Sequence, residues 1–138
     1  MIEINGNSYH VTYVPETHTI AVRGVLRLYG TDGYIDGHEL ARNRGEAAET
    51  DVPTGGYASI MKLLLNILSE KPAEIILDLR ELQFVNSSGI NIFSKFAVKL
   101  GEQERSHLTI RGNQKLSWQS NVFTNLKTIL PTLTLAFE

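Results

Sequence analysis

The sequence predicts an α/β fold, a mixed sheet of four or five strands with helices packed on one face. Two observations lead to this prediction. Strand-like and helix-like segments alternate along the chain, which is typical of a sandwich whose later strands are parallel or mixed. A short apolar run over Ile75 to Leu79 is typical of a buried central strand.

The N-terminal part of the chain predicts a β-hairpin. Ser8 to Val14 is rich in β-branched and aromatic residues, and Thr19 to Leu28 alternates apolar and polar residues. Pro15 to Thr17, between these segments, supplies residues typical of turns.

Two longer segments have the spacing of amphipathic helices. Tyr57 to Lys71 places apolar side chains at helical intervals and stops before Pro72, which cannot continue a helix. A second helix is predicted from about Ser88 to Leu100, with Gly101 at the position of a left-handed C-cap. The predicted core residues of these helices are Ile60, Met61, Leu64, Ile67, Leu68, Phe93, Phe96, Ala97 and Leu100.

The remaining segments predict a loop, a strand, a third helix and a final strand. The loop is expected over Arg80 to Ser87, and the strands over Leu108 to Arg111 and Thr132 to Phe137. The helix spans about Gln114 to Thr124, and Asn125 is predicted to end it because asparagine tolerates the left-handed conformation.

Residues 29–56 interrupt this alternation. They are rich in glycine and charged residues, too polar for a core and too long for an ordinary connection. We predict a long polar insertion within a single domain over residues 1–138, with a short helix around His38 to Glu49. We expect the insertion to be less stable than the rest and to contribute to partner choice. Asp32, Asp36, His38 and Glu39 could bind a hard cation, but their spacing matches no loop motif, so a solvated segment is the preferred interpretation.

Composition excludes several functional classes. The chain has no cysteine, which excludes disulfides, thiolate metal sites and a cysteine nucleophile. Thirteen basic and fifteen acidic residues give a net charge of −2, which argues against binding to nucleic acid or an anionic membrane. No apolar stretch approaches the roughly 18 residues of a membrane span, and the first residues lack the features of a secretion signal. We therefore expect a cytoplasmic protein with no membrane insertion, no metal and no cofactor.

The most informative segment follows the apolar strand and contains Asn86, Ser87, Ser88, Gly89 and Ile90. Asparagine and serine at a helix start accept hydrogen bonds from the free N–H groups of the first turn. Two serines and an asparagine exceed the needs of one cap. A phosphate on one of these serines would meet the free N–H groups and the positive end of the helix dipole. The plain alternative is a helix cap without a regulatory role.

This segment resembles the signature of STAS domains, the fold of bacterial anti-sigma factor antagonists, which is usually Asp-Ser-Ser/Thr-Gly and an aliphatic residue. Asp78 lies between two leucines, as in the strand that precedes the family's signature, and Phe123 to Leu126 is similar to the end of its third helix. The resemblance covers about Ser8 to Leu28 and Tyr57 to Phe137, and implies a STAS-like (SpoIIAA-like) sandwich. Two features depart from the family: Asn86 stands where aspartate is usual, and the insertion is longer than the usual connection.

The resemblance implies a regulatory module without catalytic activity, an anti-sigma factor antagonist. Such a protein binds a serine kinase that also acts as an anti-sigma factor, releases it when phosphorylated, and is reset by a PP2C-type phosphatase. Ser88, directly before the glycine, occupies the position that receives phosphate in the family, so we predict its phosphorylation in preference to that of Ser87. The predicted partner-binding residues are Asn86, Ser87, Ser88, Gly89, Ile90 and Ile92.

Two other functions are compatible with these residues. The same fold could serve as a scaffold or partner-switch component for a process other than sigma factor control, such as envelope or polysaccharide regulation. A serine hydrolase could be assembled from Ser88, Asp78 and a histidine, although Ser88 lacks the Gly-x-Ser-x-Gly elbow of such enzymes. A homodimer is also left open.

Overall fold

The computed structural model describes residues 1–28 and 57–138, which form strands and helices in the predicted alternation. The strands are β1 (Ile2–Asn5), β2 (Tyr9–Val14), β3 (Thr19–Leu26), β4 (Glu74–Asp78), β5 (Leu82–Val85), β6 (His107–Gly112) and β7 (Thr134–Phe137). The helices are α1 (Ala58–Ser69), α2 (Ser87–Gln103) and α3 (Ser117–Ile129).

The strands form one mixed sheet in the order β1-β2-β3-β4-β6-β7. The first three are antiparallel neighbours, whereas β3, β4, β6 and β7 run parallel to one another. β5 pairs in parallel with the second half of β3, beyond the part that pairs with β4. It leads directly into α2, so the end of β3 and the start of α2 lie close together. The predicted α/β class with a mixed sheet is confirmed.

The helices cover one face of the sheet. Along the central strands every second residue is buried and points to this face, namely Tyr9, Val11, Tyr13, Ile20, Val22, Ile75, Leu77, Leu108 and Ile110. Helix α2 contacts both α1 and α3 over these residues. All the predicted core residues of α1 and α2 are buried, because their helical spacing points them at the sheet.

Within residues 1–28 and 57–138 the sheet contains two strands more than the highest predicted number. β1 pairs with β2 at one edge, and β5 lies in the segment that was expected to be a loop. β5 can pair with β3 because β3 is irregular at Gly24, where φ is +92° and the register shifts. A Cβ at Gly24 would lie 2.3 Å from the Ser8 carbonyl oxygen, so the position requires glycine. Both extra strands are short. β1 pairs with the next strand along the chain, whereas β5 exists through pairing with the distant β3, which local patterns do not reveal.

Two predicted helix ends are wrong. Helix α2 continues through Gly101, and Glu104 adopts the left-handed conformation instead, with a φ of 55°. Helix α3 continues past Asn125 by another turn, and it begins at Ser117 rather than Gln114. In α3 the apolar stripe continues with the buried Leu126, and this packing outweighs the preference of a single residue for the end of a helix. The residues that extend α2 beyond Leu100 are Gly101, Glu102 and Gln103, which add no apolar side chain to the core.

The predicted insertion lies outside the described residues. The same holds for the short helix expected over His38 to Glu49 and for the candidate cation ligands Asp32, Asp36, His38 and Glu39. Within residues 1–28 and 57–138, no helix is long and apolar enough to cross a membrane. The same residues contain no group of three or more metal-ligating side chains that could hold an ion.

Candidate functional site at the start of helix α2

Asn86 is the N-cap of α2, and its side chain and backbone N–H make four hydrogen bonds there. Its Oδ1 accepts one from the Gly89 N–H (3.0 Å) and a second from the Tyr57 hydroxyl (2.7 Å). Its Nδ2 donates to the Leu28 carbonyl (2.7 Å), and its backbone N–H donates to the Leu26 carbonyl (3.0 Å). Asn86 therefore joins the start of α2 to the end of β3 and to the residue that precedes α1. Its side-chain oxygen and nitrogen both take part in these contacts.

Tyr57 completes this hydrogen-bond network from beneath the helix. The side chain is buried, and its hydroxyl also accepts from the Leu28 N–H (3.4 Å). Burial disfavours the phenolate and raises the pKa of Tyr57 to about 12, so the hydroxyl keeps its proton and donates to Asn86. The sequence identified Tyr57 only as a helix start. Its contact with Asn86 spans 29 positions, and no local pattern indicates it.

Gly89 allows the first turn of α2 to pack directly on Tyr57. A Cβ at this position would lie 2.3 Å from Cγ2 of Val85 and 2.7 Å from the Tyr57 hydroxyl oxygen. The residue is buried, and its N–H is already bonded to the cap. Glycine is therefore needed here for internal packing, and the place of Gly89 in a partner surface stays a prediction.

Ser87 and Ser88 occupy the first two positions of α2 and face the solvent to different degrees. Ser87 is exposed and Ser88 is half-buried. The first hydrogen bond within the helix runs from the Ile90 N–H to the Asn86 carbonyl (3.0 Å). The N–H groups of both serines lie before it and have no acceptor within the described residues. The helix start thus offers two hydroxyl groups, two unpaired donors and the positive end of the helix dipole.

The two predicted isoleucine anchors have different surroundings. Ile92 is 1% exposed and belongs to the core, and its place in a partner surface stays a prediction. Ile92 widens the buried stripe of α2, because the sheet and the helices α1 and α3 pack against that side of the helix. Ile90 is half-buried and packs against the core while keeping part of its side chain accessible.

Phe84 on β5 and Arg27, the residue after β3, form an exposed patch near this site. Phe84 is 40% exposed, and the Arg27 guanidinium carbon lies 4.9 Å from the centre of its ring, which is a cation–π arrangement. The pairing of Val25 with Phe84 brings them together two residues before Asn86. The contact between Arg27 and Phe84 could not be predicted from the sequence analysis, because β5 was not predicted. Aromatic and arginine side chains are enriched at protein interfaces.

Asp78 stabilises the connection between β4 and β5 through hydrogen bonds with Arg80. Its Oδ1 accepts hydrogen bonds from Nε (2.9 Å) and the backbone N–H (3.2 Å) of Arg80, and its Oδ2 accepts from Nη2 (2.7 Å). Burial raises the pKa of Asp78, but the hydrogen bonds and charge of Arg80 outweigh burial and lower it overall. Because both carboxylate oxygens are used by Arg80, the structure does not support a triad of Ser88, Asp78 and a histidine.

Helix α3 binds the segment that precedes Asn86 in the chain. Gln119 is fully buried, and its Nε2 donates to the carbonyls of Leu79 (2.7 Å) and Leu82 (3.2 Å). Trp118 donates from its indole N–H to the Gln83 carbonyl (2.9 Å). The start of α2 is therefore supported on two sides, by α3 and by the Tyr57 network.

Comparison with known proteins shows a shared fold. No protein-family model and no curated protein matches this chain. Among solved structures, a similar chain occurs in the crystal structure of the diguanylate cyclase SiaD in complex with its activator SiaC from Pseudomonas aeruginosa. The match is to the activator, with a TM-score of 0.62 and 12% sequence identity, and it covers 99% of this chain and 98% of that chain. It supports the α/β fold with a mixed sheet and three helices.

Proposed function

We propose that this protein is a non-catalytic regulator that binds another protein through the start of α2 and releases it when Ser88 is phosphorylated. The observation that supports this proposal most is the arrangement at that helix start. Asn86 and Tyr57 fix the backbone from inside, while Ser87 is exposed and Ser88 is half-buried, each with an unpaired N–H group. Such a site can gain a phosphate without losing an internal contact.

The effects of a phosphate on the fold and on a complex would differ. It adds nearly two negative charges and three acceptor oxygens. At the start of a helix these charges are favourable by about 0.3–1 kcal/mol. In a packed interface they must be desolvated, and a penalty of about 1.4–2.8 kcal/mol weakens binding by 10- to 100-fold. Phosphorylation would therefore leave the domain folded and release its partner.

The surface around the serines supports a protein as the ligand. Phe84, with Arg27 packed over its ring, is exposed on the strand that precedes the serines. Ile90 adds a partly accessible apolar side chain on the first turn of α2. An aromatic residue, an arginine and an aliphatic residue beside a polar helix start are the composition expected of a binding surface.

Two kinds of partner fit this proposal. The resemblance to STAS domains favours a serine kinase that acts as an anti-sigma factor, with a PP2C-type phosphatase that reverses the modification. The structural match favours the control of a process other than sigma factor activity, because SiaC is the activator of a diguanylate cyclase. We favour a partner from a process other than sigma factor control, since this proposal is supported by structural similarity along the whole chain rather than by a short motif.

The choice between the serines is tested by phosphopeptide mass spectrometry of the native protein and of two matched variants. We expect phosphate on Ser88, its loss in Ser88→Ala and its retention in Ser87→Ala. Exposure alone would favour Ser87. Loss of phosphate in Ser87→Ala and its retention in Ser88→Ala would therefore assign the phosphorylation site to Ser87. Absence of phosphate from both serines in cells that contain the cognate kinase would refute a phosphorylation switch.

The partner class and the absence of catalysis are tested separately. Unmodified protein is used to capture partners from native lysate, with Ser88→Asp as the control that should release them. A sigma-factor regulator among the captured proteins would favour the first reading, and a signalling enzyme the second. Covalent labelling of Ser88 by a fluorophosphonate probe would contradict the non-catalytic role.

A further inference from the structure

A groove runs between α1 and α2 on the solvent side of these helices. It has a volume of about 920 Å³ and is lined mostly by apolar surface. Leu65 on α1 and Val98 on α2 both line it, and they are 37% and 44% exposed. Large apolar side chains are seldom left in solvent side by side without a binding role.

The residues along the groove follow the period of two helices. On α1 they include Met61 and Leu65, and on α2 they include Asn91, Ser94 and Val98. These spacings of i, i+3 and i+4 mean that each helix presents one continuous stripe to the groove. The lining of α2, from Asn91 to Glu102, extends over about 16 Å, and that of α1, from Ala58 to Asn66, over about 12 Å. Two stripes that are two to three helical turns long fit a third helix better than a compact small molecule.

The charges along the groove differ in sign from the protein as a whole. Lys62, Lys95 and Lys99 line it, with Glu102 as the one acidic residue among its lining side chains. The full chain has a net charge of −2. In the described part of the chain, Lys62 and Lys99 form no ion pair, and they lie on opposite walls. A ligand with negative charge on both flanks is the complement of this groove.

We propose that the groove binds an acidic amphipathic helix of a partner protein, with apolar residues directed at Leu65 and Val98. Ser87 lies one turn before Asn91 on the same side of α2, so the groove leads towards the start of this helix. The proposal rests on the proposed function only in taking a protein as the ligand. It does not depend on phosphorylation of Ser88.

The groove is tested with a display library of helical peptides whose flanking positions vary among acidic, basic and neutral residues. Peptides are selected on the full-length protein and their affinities are measured by calorimetry. We expect the selected peptides to be acidic on their flanks and apolar at i, i+3, i+4 and i+7. Val98→Asp should weaken them by about tenfold or more. Ile129→Asp on α3 is the matched control, because Ile129 is also 44% exposed and lies outside the groove.

The role of charge is tested by the double variant Lys62→Glu and Lys99→Glu. Acidic peptides should lose at least about tenfold in affinity on this variant, and their affinity for the wild type should fall as the salt concentration rises. Circular dichroism of each variant checks that the fold is retained. Both lysines are exposed, so we expect the unfolding temperature to stay close to that of the wild type.

Several outcomes would overturn the groove proposal. These are the selection of no peptide, selection of basic peptides, equal binding to Val98→Asp, and a concentration-dependent dimer that Val98→Asp abolishes. Failure of the proposed function is distinguishable from failure of the groove. If acidic peptides bind but Ser88→Asp still binds the native partner, the groove is supported and the switch is refuted. If Ser88→Asp releases the native partner but no peptide binds, the switch is supported and the groove is refuted.

Discussion

The hydrogen-bond network around Asn86 should determine how firmly the start of α2 is held. The substitution Asn86→Ala removes the cap of the helix, which is worth about 1 kcal/mol. It also removes the donor to the Leu28 carbonyl, and it takes from the buried Tyr57 hydroxyl its acceptor at 2.7 Å. A buried group left without its partner costs about 1–3 kcal/mol. We expect a total loss of about 3 kcal/mol in the free energy of unfolding.

The pairing of Asn86 with Tyr57 is isolated by a double-mutant cycle. Tyr57→Phe removes the hydroxyl but leaves the cap bond from Gly89 in place. In this background Asn86→Ala should cost less by about 1–2 kcal/mol, because no buried hydroxyl is then left unpaired. The free energies are measured by urea denaturation monitored by circular dichroism. Asn121→Ala, an exposed asparagine in the middle of α3, is the matched control and should change stability by no more than about 0.5 kcal/mol.

Two results would refute this reasoning. One is an Asn86→Ala variant as stable as the control variant. The other is a cycle in which the two costs add to within about 0.5 kcal/mol, since the two side chains would then not be coupled.

Three further predictions concern the supports of the site. Gly89→Ala should lower the free energy of unfolding by about 1–3 kcal/mol as measured by denaturation, because its Cβ would clash with the layer beneath; an unchanged stability would show that the turn shifts freely. Gln119→Leu should cost about 3 kcal/mol, because it takes the acceptor from the Asn113 N–H and a donor from the Leu79 and Leu82 carbonyls; a loss below about 1 kcal/mol would show that water replaces these hydrogen bonds. The pKa of Asp78 is lowered in the folded state, so its ion pair with Arg80 stabilises the protein above the unfolded pKa of about 4 and is lost as the pH falls through the folded pKa. Arg80→Gln should therefore reduce the loss of stability in acid titrations, and an identical acid transition would contradict the pairing.

Local patterns predicted those parts of the fold in which burial follows a fixed period. The core residues of α1 and the strand around Ile75 were predicted because helical and extended spacings point apolar side chains to one side. Strand β5 could not be predicted, because it exists only where β3 continues beyond β4. Ile92 was not predicted as a core residue, because the predicted apolar stripe of α2 consisted of four other residues. In the structure, neighbouring elements bury a wider face of α2, which includes Ile92.

The candidate site was located by its residue types but not by its contacts. Asn86 was predicted as a cap, and the cap bond to Gly89 lies within a single helical turn. Its bonds to Leu28 and Tyr57 cross 58 and 29 positions, distances at which a sequence pattern carries no information on pairing. Asparagine in place of the aspartate that is usual in STAS domains has a physical reason here. Its Nδ2 donates to a carbonyl, a role that a carboxylate cannot fill.

The most direct test of the central proposal is the affinity of the full chain with phosphoserine incorporated at position 88 for the partner captured by the unmodified chain. Calorimetry should show binding weakened by about 10- to 100-fold. The unfolding temperature should stay the same or rise slightly, because the helix start accommodates the charge. The same modification at position 87 is the matched control. Unchanged affinity with phosphoserine at position 88, or unfolding of the domain, would contradict the account.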